Sequence, residues 1–189
     1  MSDQAKPRLT AADRLPGDPD SRALLDRMIR VDQAGEYGAK RIYEGQLAVL
    51  GQSDAAPELR KMLTQEETHL AEFNRMVAAR GVRPTALEPL WHAAGYALGA
   101  ATALLGPEAA MACTVAVEEV IGEHYAEQAA ALGDDESPLR ETVERFRADE
   151  LAHRDAALAA HAEQAFAYPV LTAAIKAGTR LAIWLSTRL

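Results

Sequence analysis

Two copies of one short pattern constrain this chain of 189 residues more than any other feature. Glu66 stands three residues before His69, and Glu150 stands three residues before His153. Residues at that spacing share one face of a helix, so each pair can bind one metal ion. A single pair of this kind usually lies on a solvated helix surface. Two such pairs in one chain indicate a metal site.

A further glutamate precedes each pair by a similar distance, Glu36 in the first half and Glu118 in the second. Each half therefore supplies one Glu followed by Glu-x-x-His, which is the ligand set of a carboxylate-bridged two-metal site in a four-helix bundle. Four carboxylates suit two divalent cations, and the imidazoles favour first-row transition metals, iron first and manganese second. Open positions on iron imply O2 chemistry. The predicted metal ligands are Glu36, Glu66, His69, Glu118, Glu150 and His153.

Two of these glutamates have a glutamate neighbour that competes for the same role. Glu118 falls on the apolar face of its helix, whereas Glu119 falls on a more polar one, and a buried carboxylate needs a cation beside it. Glu66 is preferred over Glu67 because only Glu66 stands three residues before His69. We therefore expect Glu119 and Glu67 to lie on the surface.

Composition excludes several classes of protein. The net charge of −8, without a basic run, argues against a nucleic-acid partner. Cys113 is the only cysteine, so no intramolecular disulfide and no cysteine-rich zinc site can form, and we expect it to be buried. Residues 1–20 are predicted to be a flexible tail and residues 21–189 a single domain.

Proline and glycine divide the chain into long helical segments, and no run of alternating β-branched residues predicts a sheet. The expected fold is all-α, a ferritin-like four-helix bundle with additional membrane-interfacial helices. The first helix should span Ser21 to Leu50. The second should run from Pro57 to Gly81, and a later one from Ser137-Pro138 past His161.

Residues 90–117 are almost free of charge, and Gly106-Pro107 divides them. The part before the break is too short for a confident membrane span. It is either a buried core helix or a helix in one leaflet, with Gly95 and Gly99 permitting close helix contact. Residues 170–189 predict an amphipathic helix whose basic side carries Lys176 and Arg180. Together the two segments favour membrane contact.

Several neighbours of the predicted ligands are candidates for supporting roles. Asp149 can accept a hydrogen bond from a ligating imidazole, although a solvated Asp is almost as good an interpretation. Tyr43 and Tyr125 can line a substrate or oxygen pocket, or simply belong to the core. No role is assigned to His92, His124 and His161.

Three segments of the chain strongly resemble one known family: RVDQAGEYGA at 30–39, ACTVAVEE at 112–119 and AIWLSTRL at 182–189. The family is Coq7, the demethoxyubiquinone hydroxylases, and the resemblance extends from about Asp20 to the C-terminus. It implies a di-iron monooxygenase that hydroxylates the ring of a polyprenylated demethoxyubiquinone precursor in ubiquinone biosynthesis. It also implies two iron ions per chain, with Glu66 and Glu150 as bridging ligands.

The resemblance implies a peripheral membrane protein at the cytoplasmic face of the inner (cell) membrane. O2 and the polyprenylated quinone are then its substrates. Other ubiquinone-biosynthesis proteins and a second copy of the chain are candidate partners. Two external electrons are needed, and the chain has neither a G-x-G-x-x-G nucleotide motif nor the cysteines of an iron-sulfur cluster. The resemblance suggests NADH or a quinol as donor, with no binding residues assigned.

Two other functions compete with hydroxylation. A ferritin-like protein that stores iron or scavenges peroxide would use the same ligands, but the long apolar segment argues against a storage cage. A non-catalytic lipid-binding scaffold would leave the repeated ligand pattern unexplained.

Overall fold

The computed structural model describes residues 21–189, and these contain six α-helices and no strand. The all-α fold predicted from the sequence is confirmed. The flexible tail predicted for residues 1–20 lies outside the described residues. The helices are α1 (Ser21–Leu50), α2 (Ala56–Arg80), α3 (Glu88–Leu104), α4 (Pro107–Ala131), α5 (Ser137–Ala159) and α6 (Tyr168–Ser186).

Prolines mark where most of these helices begin. A proline stands in the first two positions of each helix from α2 to α6, where its missing N–H leaves no hydrogen bond unmade. Gly81 ends α2 in the left-handed conformation, with φ of 66°. The bounds predicted for α1 and α2 agree with the structure to within a residue or two.

The end of α5 was predicted wrongly. The helix was expected to run past His161 but stops at Ala159, because His161 takes the left-handed conformation with φ of 65°. A short 3-10 helix at Ala162–Gln164 follows, and Ala167 is again left-handed before α6 begins. Neither turn contains the glycine or proline that usually signals such a break.

Helices α1, α2, α4 and α5 form the bundle, and α4 is its most deeply buried member. Every residue from 109 to 118 is buried, as expected for a helix that is apolar on all sides. The second part of the uncharged segment, 107–117, therefore packs in the core, and membrane contact for that part is the wrong interpretation. Only the part before Gly106 forms a separate helix, α3.

Helix α3 lies against α1 at very short range. A Cβ added to Gly99 would stand 2.0 Å from the carbonyl oxygen of Ile42, and one added to Gly45 would stand 2.2 Å from that of Tyr96. The two backbones can approach this closely only because both positions lack a side chain. The close helix contact predicted for Gly99 is therefore made, with α1 as the partner.

Helix α6 packs on α4 through buried residues that include Thr172 and Ile175, and ion pairs with α4 lie beside them. Lys176 forms an ion pair with Glu119, and Arg180 pairs with Glu123 at 2.9 Å. The basic side predicted for this helix thus faces acidic residues of α4. Other apolar residues of α6 remain open, with Val170 71% exposed.

Among residues 21–189, no helix combines the length and the apolar content needed to cross a bilayer. Helices α3 and α6 nevertheless expose several large apolar side chains at their surfaces and ends. These include Leu90, Leu104, Leu105, Val170, Leu181 and Trp184.

We expect Gly99→Ala to destabilise the fold by about 1–3 kcal/mol, because the added methyl group overpacks the contact between α1 and α3. Gly178→Ala on α6 is the matched control. Its Cβ would meet nothing within 4 Å, so a gain of about 0.4–1 kcal/mol is expected there. Urea denaturation of both variants measures the difference. Equal stability of the two variants would contradict the close packing.

Candidate metal centre

All six predicted ligands lie together in the interior of the bundle. Each helix of the bundle contributes to the cluster, and none of the six residues is more than 3% exposed. Helix α1 carries Glu36, α2 carries Glu66 and His69, α4 carries Glu118, and α5 carries Glu150 and His153. The helical periodicity that placed Glu36 and Glu118 on apolar faces is confirmed by their burial.

The cluster consists of two adjoining groups of four residues. Glu36 and His69 complete one group, and Glu118 and His153 complete the other. Within each group, one donor atom from every residue lies within 4.8 Å of the others. Both groups contain the same two glutamates, Glu66 and Glu150. A carboxylate has two oxygens, so these two residues can serve both groups at once.

Both imidazoles direct Nδ1 towards the carboxylates. Nδ1 of His69 lies 3.0 Å from Glu150 Oε1 and 3.4 Å from Glu36 Oε2. Nδ1 of His153 lies 3.1 Å from Glu150 Oε2 and 3.2 Å from Glu66 Oε1. Each histidine therefore reaches across the bundle to the glutamate of the other half.

The outer nitrogen of each imidazole has a partner of its own. Nε2 of His69 lies 3.1 Å from Asp149 Oδ2, and Nε2 of His153 lies 3.1 Å from Gln65 Oε1. Since a carboxylate only accepts, His69 donates from Nε2 to Asp149, and Nδ1 is the nitrogen that can ligate a metal once its own proton is lost. The hydrogen bond predicted between Asp149 and an imidazole of the cluster is present. Gln65 was missed, although it precedes Glu66 as Asp149 precedes the equivalent glutamate.

Two buried tyrosines hold the remaining carboxylates. The Tyr43 hydroxyl donates to Glu118 Oε1 at 2.6 Å, and the Tyr125 hydroxyl donates to Glu36 Oε1. Each tyrosine is 1% exposed, so it supports the cluster from within the core. Of the two roles that the sequence suggested, pocket lining and core packing, the structure favours core packing. Neither tyrosine lines the apolar cavity that opens between α3 and α6.

The protonation of the cluster reflects an excess of buried negative charge. Burial, and then the charge of Glu150, raise the pKa of Glu66 and of Glu118 well above the ordinary 4.5. Burial also raises the pKa of Glu36. Burial opposes a charged His69, but contacts with Glu150 and Glu36 outweigh it and raise the His69 pKa to about 10. Without cations, the cluster therefore retains protons.

The unsatisfied atoms of the cluster fit a pair of cations. Buried oxygens normally have hydrogen-bond partners, and those that lack one need another explanation. Within the described residues, several donor atoms here have no hydrogen bond of good geometry, and all of them face the cluster. They are Glu36 Oε2, both oxygens of Glu66, His69 Nδ1, Glu118 Oε2 and Glu150 Oε1. Two divalent cations would balance the negative charge of the four carboxylates and would give these atoms a partner.

The competing glutamates lie outside the cluster, as predicted. Glu119 pairs with Lys176, and the exposed Glu67 lies 3.4 Å from Lys40. The three unassigned histidines are also elsewhere. His92 bonds to the Tyr37 hydroxyl, His124 lies near Asp32, and His161 is in the turn after α5. Cys113 is buried as expected.

The cluster is flanked by two cavities of different character. An apolar cavity of about 320 Å³ opens between α3 and α6, and its lining includes Gly35 and Val117, the residues directly before Glu36 and Glu118. A more polar cleft of about 680 Å³ lies between α2 and α5 and is lined by residues that include Gln65, His69 and Asp149. His69 itself lines the polar cleft, so water can reach the cluster from that side, whereas the apolar cavity lies against the helices that carry Glu36 and Glu118.

We expect the metal-free chain to lose stability as the pH rises from 5 to 9. Carboxyls and an imidazole with raised pKa values hold protons in the folded state that the unfolded chain releases above pH 4.5 and 6.5 respectively. For each such group, the free energy of unfolding falls by about 1.4 kcal/mol per pH unit as the pH rises between its unfolded and its folded pKa. The pKa of Glu150 is lowered, so its contribution is constant above pH 5.

Glu66→Gln should make this fall shallower, because one retained proton is removed, whereas the exposed Glu67→Gln should leave it unchanged. Thermal unfolding of the metal-free proteins in buffers from pH 5 to 9 measures the slopes. A wild-type slope that Glu66→Gln does not alter would show that Glu66 is ionised in the metal-free fold.

Comparison with known proteins relates the cluster to a family. The family model described as "Ubiquinone biosynthesis protein COQ7" matches residues 23–186. A 3-demethoxyubiquinol 3-hydroxylase of Rhodospirillum rubrum is 62% identical over 185 residues, covering 97% of this chain and 87% of that protein. A mitochondrial NADPH-dependent 3-demethoxyubiquinone 3-hydroxylase of Homo sapiens is 53% identical over 173 residues, covering 89% and 80%. The chain therefore belongs to the COQ7 family of ubiquinone biosynthesis proteins.

Proposed function

We propose that this chain is an O2-dependent monooxygenase that hydroxylates the ring of a polyprenylated demethoxyubiquinol or demethoxyubiquinone in ubiquinone biosynthesis. The observation that carries the proposal is the buried double Glu and Glu-x-x-His cluster in a member of the COQ7 family. The names of the relatives from Rhodospirillum rubrum and Homo sapiens describe this hydroxylation. The same family membership counts against iron storage and against a non-catalytic scaffold.

We assign two iron ions to the cluster. Glu36 and His69 would hold one ion, Glu118 and His153 the other, and the two shared glutamates would bridge them. When bound, iron supplies the activation of O2 that protein side chains cannot provide. The unsatisfied oxygens and the excess of negative charge support this assignment.

The residues around the cluster would orient the ring and exclude water. The apolar cavity has room for a quinone ring and the first part of its tail, and small residues such as Gly35 and Ala39 line it on the side of α1. A ring placed there lies beside the helices that carry Glu36 and Glu118. The predominantly apolar lining would keep water away from the ring.

The reaction requires a source of electrons beyond the substrate. Inserting one oxygen atom of O2 into a ring C–H bond and reducing the other to water consumes two electrons and two protons. We propose a reduced nicotinamide or a quinol as the donor. The name of the human relative, NADPH-dependent, favours the nicotinamide. The polar cleft beside Asp149 offers water a route to the cluster for the protons.

We further propose that the chain is peripheral to the membrane, at the cytoplasmic face of the inner (cell) membrane. Helices α3 and α6 border the apolar cavity and expose large apolar side chains such as Leu104 and Leu181. A polyprenyl tail remains in lipid, so a cavity that opens between two apolar helices would let the ring enter without crossing water.

The function is tested by the quinones that accumulate in cells lacking the protein. We expect a demethoxy precursor to replace ubiquinone in mass spectra, and the wild-type chain to reverse this. Glu118→Gln should fail to do so, with hydroxylation reduced by about 100-fold or more, because even the outer partners of metal ligands contribute about 10- to 100-fold. Glu119→Gln, the neighbouring control, should restore ubiquinone.

Normal quinones in the deletion strain would refute the proposed function. Restoration by Glu118→Gln together with failure of Glu119→Gln would instead refute the ligand assignment. Circular dichroism of both variants shows that each is folded.

Membrane contact predicts that the chain sediments with liposomes that contain anionic lipid. Phe166 is 95% exposed and Val170 71% exposed, both close to the start of α6. Replacing both by Asp should weaken binding by at least about tenfold, because burying one large apolar side chain contributes about 1.5–3 kcal/mol. Val49→Asp changes an exposed residue of α1 and should have little effect. Wild-type protein that stays in the supernatant would argue against membrane contact.

A further inference from the structure

The two halves of the cluster repeat the same arrangement. The Glu36 carboxylate accepts from Tyr125, and the Glu118 carboxylate accepts from Tyr43. Each of these tyrosines belongs to the opposite half of the chain and follows that half's first glutamate by the same distance. The repeat gives each proposed metal position one terminal glutamate with a tyrosine donor. These terminal carboxylates therefore do not distinguish the positions by charge.

The halves differ in charge at the outer nitrogen of the imidazole. His69 donates to Asp149, a carboxylate, at 3.1 Å. The corresponding contact of His153 is to Gln65, a neutral amide, also at 3.1 Å. Both partners stand directly before the bridging glutamate of their helix, so they occupy equivalent places in the repeat.

This difference has a chemical consequence for the metal. A hydrogen bond to a charged acceptor is roughly twice as strong as one to a neutral acceptor. Donation to a carboxylate raises the basicity of the imidazole as a ligand, and such partners contribute about 10- to 100-fold to metal affinity. The Asp149 side chain is 37% exposed, and water weakens its effect, so the lower end of that range applies here.

Ring packing favours the same half. The Phe146 ring stacks on His69 with centroids 3.9 Å apart, whereas Tyr43 meets His153 edge-on at 6.2 Å. A ring held between a stacked aromatic and a carboxylate loses less freedom when a metal binds. His69 is therefore both the more basic and the more firmly positioned ligand.

We propose that the two metal positions are unequal, and that the position bounded by Glu36 and His69 binds its ion about tenfold more tightly than the one bounded by Glu118 and His153. Asp149 and Gln65 are the positioning residues that set this order. The inference rests on the proposed metal site, and it adds which position is filled first and which side chains decide it.

Two variants isolate the positions. His153→Ala leaves the first position intact and His69→Ala leaves the second. The metal-free full chain is titrated with Co(II) in competition with a chromophoric chelator. We expect His153→Ala to bind its ion with the affinity of the first step of the wild type, and His69→Ala to bind about tenfold more weakly.

Exchanging the outer partners tests the cause. In the His153→Ala protein, Asp149→Asn should weaken Co(II) binding about tenfold, while in the His69→Ala protein it should have little effect. In the His69→Ala protein, Gln65→Glu should tighten binding. A purely structural role for Gln65 predicts no gain. Glu144→Gln, which removes one charge from the exposed side of α5, is the control. It should leave the Co(II) affinity unchanged in both the His153→Ala and the His69→Ala protein.

Equal Co(II) affinities in the two single-position variants would overturn the inference, and so would an equal loss in both on Asp149→Asn. If Asp149→Asn does not fold, Gln65→Glu decides: a gain in the His69→Ala protein supports the proposal and no gain refutes it. Failure of the wild-type chain to bind any Co(II) would refute the metal site itself, which is a different result from two equal constants.

Discussion

Four carboxylates and two imidazoles buried at the centre of a small bundle create an electrostatic demand that the rest of the structure must meet. Carboxylates out of water are costly unless cations or protons compensate them. Here burial raises the pKa of Glu66 and Glu118, so protons compensate in the absence of metal. Divalent cations would satisfy the demand better, because they would contact the oxygens that no hydrogen bond reaches. The fold is thus built around a negative charge that bound protons or cations must neutralise.

That demand explains why the bundle has different surfaces on its two sides. In the proposed metal site each histidine would use one nitrogen for the metal, and its other nitrogen has a polar partner, Asp149 or Gln65, at the cleft between α2 and α5. The opposite side, towards α3 and α6, holds no ligand and can remain apolar. One cluster therefore separates a polar entrance from an apolar one, which suits a substrate with a lipid tail and a reaction that consumes protons.

The sequence predicted the cluster more accurately than its surroundings, for a physical reason. Ligand spacing on a helix is local, so Glu-x-x-His and the burial of Glu118 rather than Glu119 could be derived from periodicity alone. The resemblance to the Coq7 family is likewise confirmed by the family match. The contact between Gln65 and His153, by contrast, joins residues 88 positions apart in the chain and depends on how α2 and α5 pack. The one sequence signal for this contact is the internal repeat, because Gln65 precedes Glu66 as Asp149 precedes Glu150.

The errors concern places where tertiary contacts override local signals. The uncharged segment 90–117 contains two helices with opposite fates, since α4 has neighbours on all sides while α3 has α1 mainly on one. Its charge pattern is the same in both parts, so composition cannot separate a core helix from an exposed apolar one. Likewise, the basic side of α6 is matched by Glu119 and Glu123, which lie on the surface because Glu118 turns inward. The inward direction of Glu118 thus leaves its neighbour Glu119 at the surface, where it can pair with Lys176 of α6.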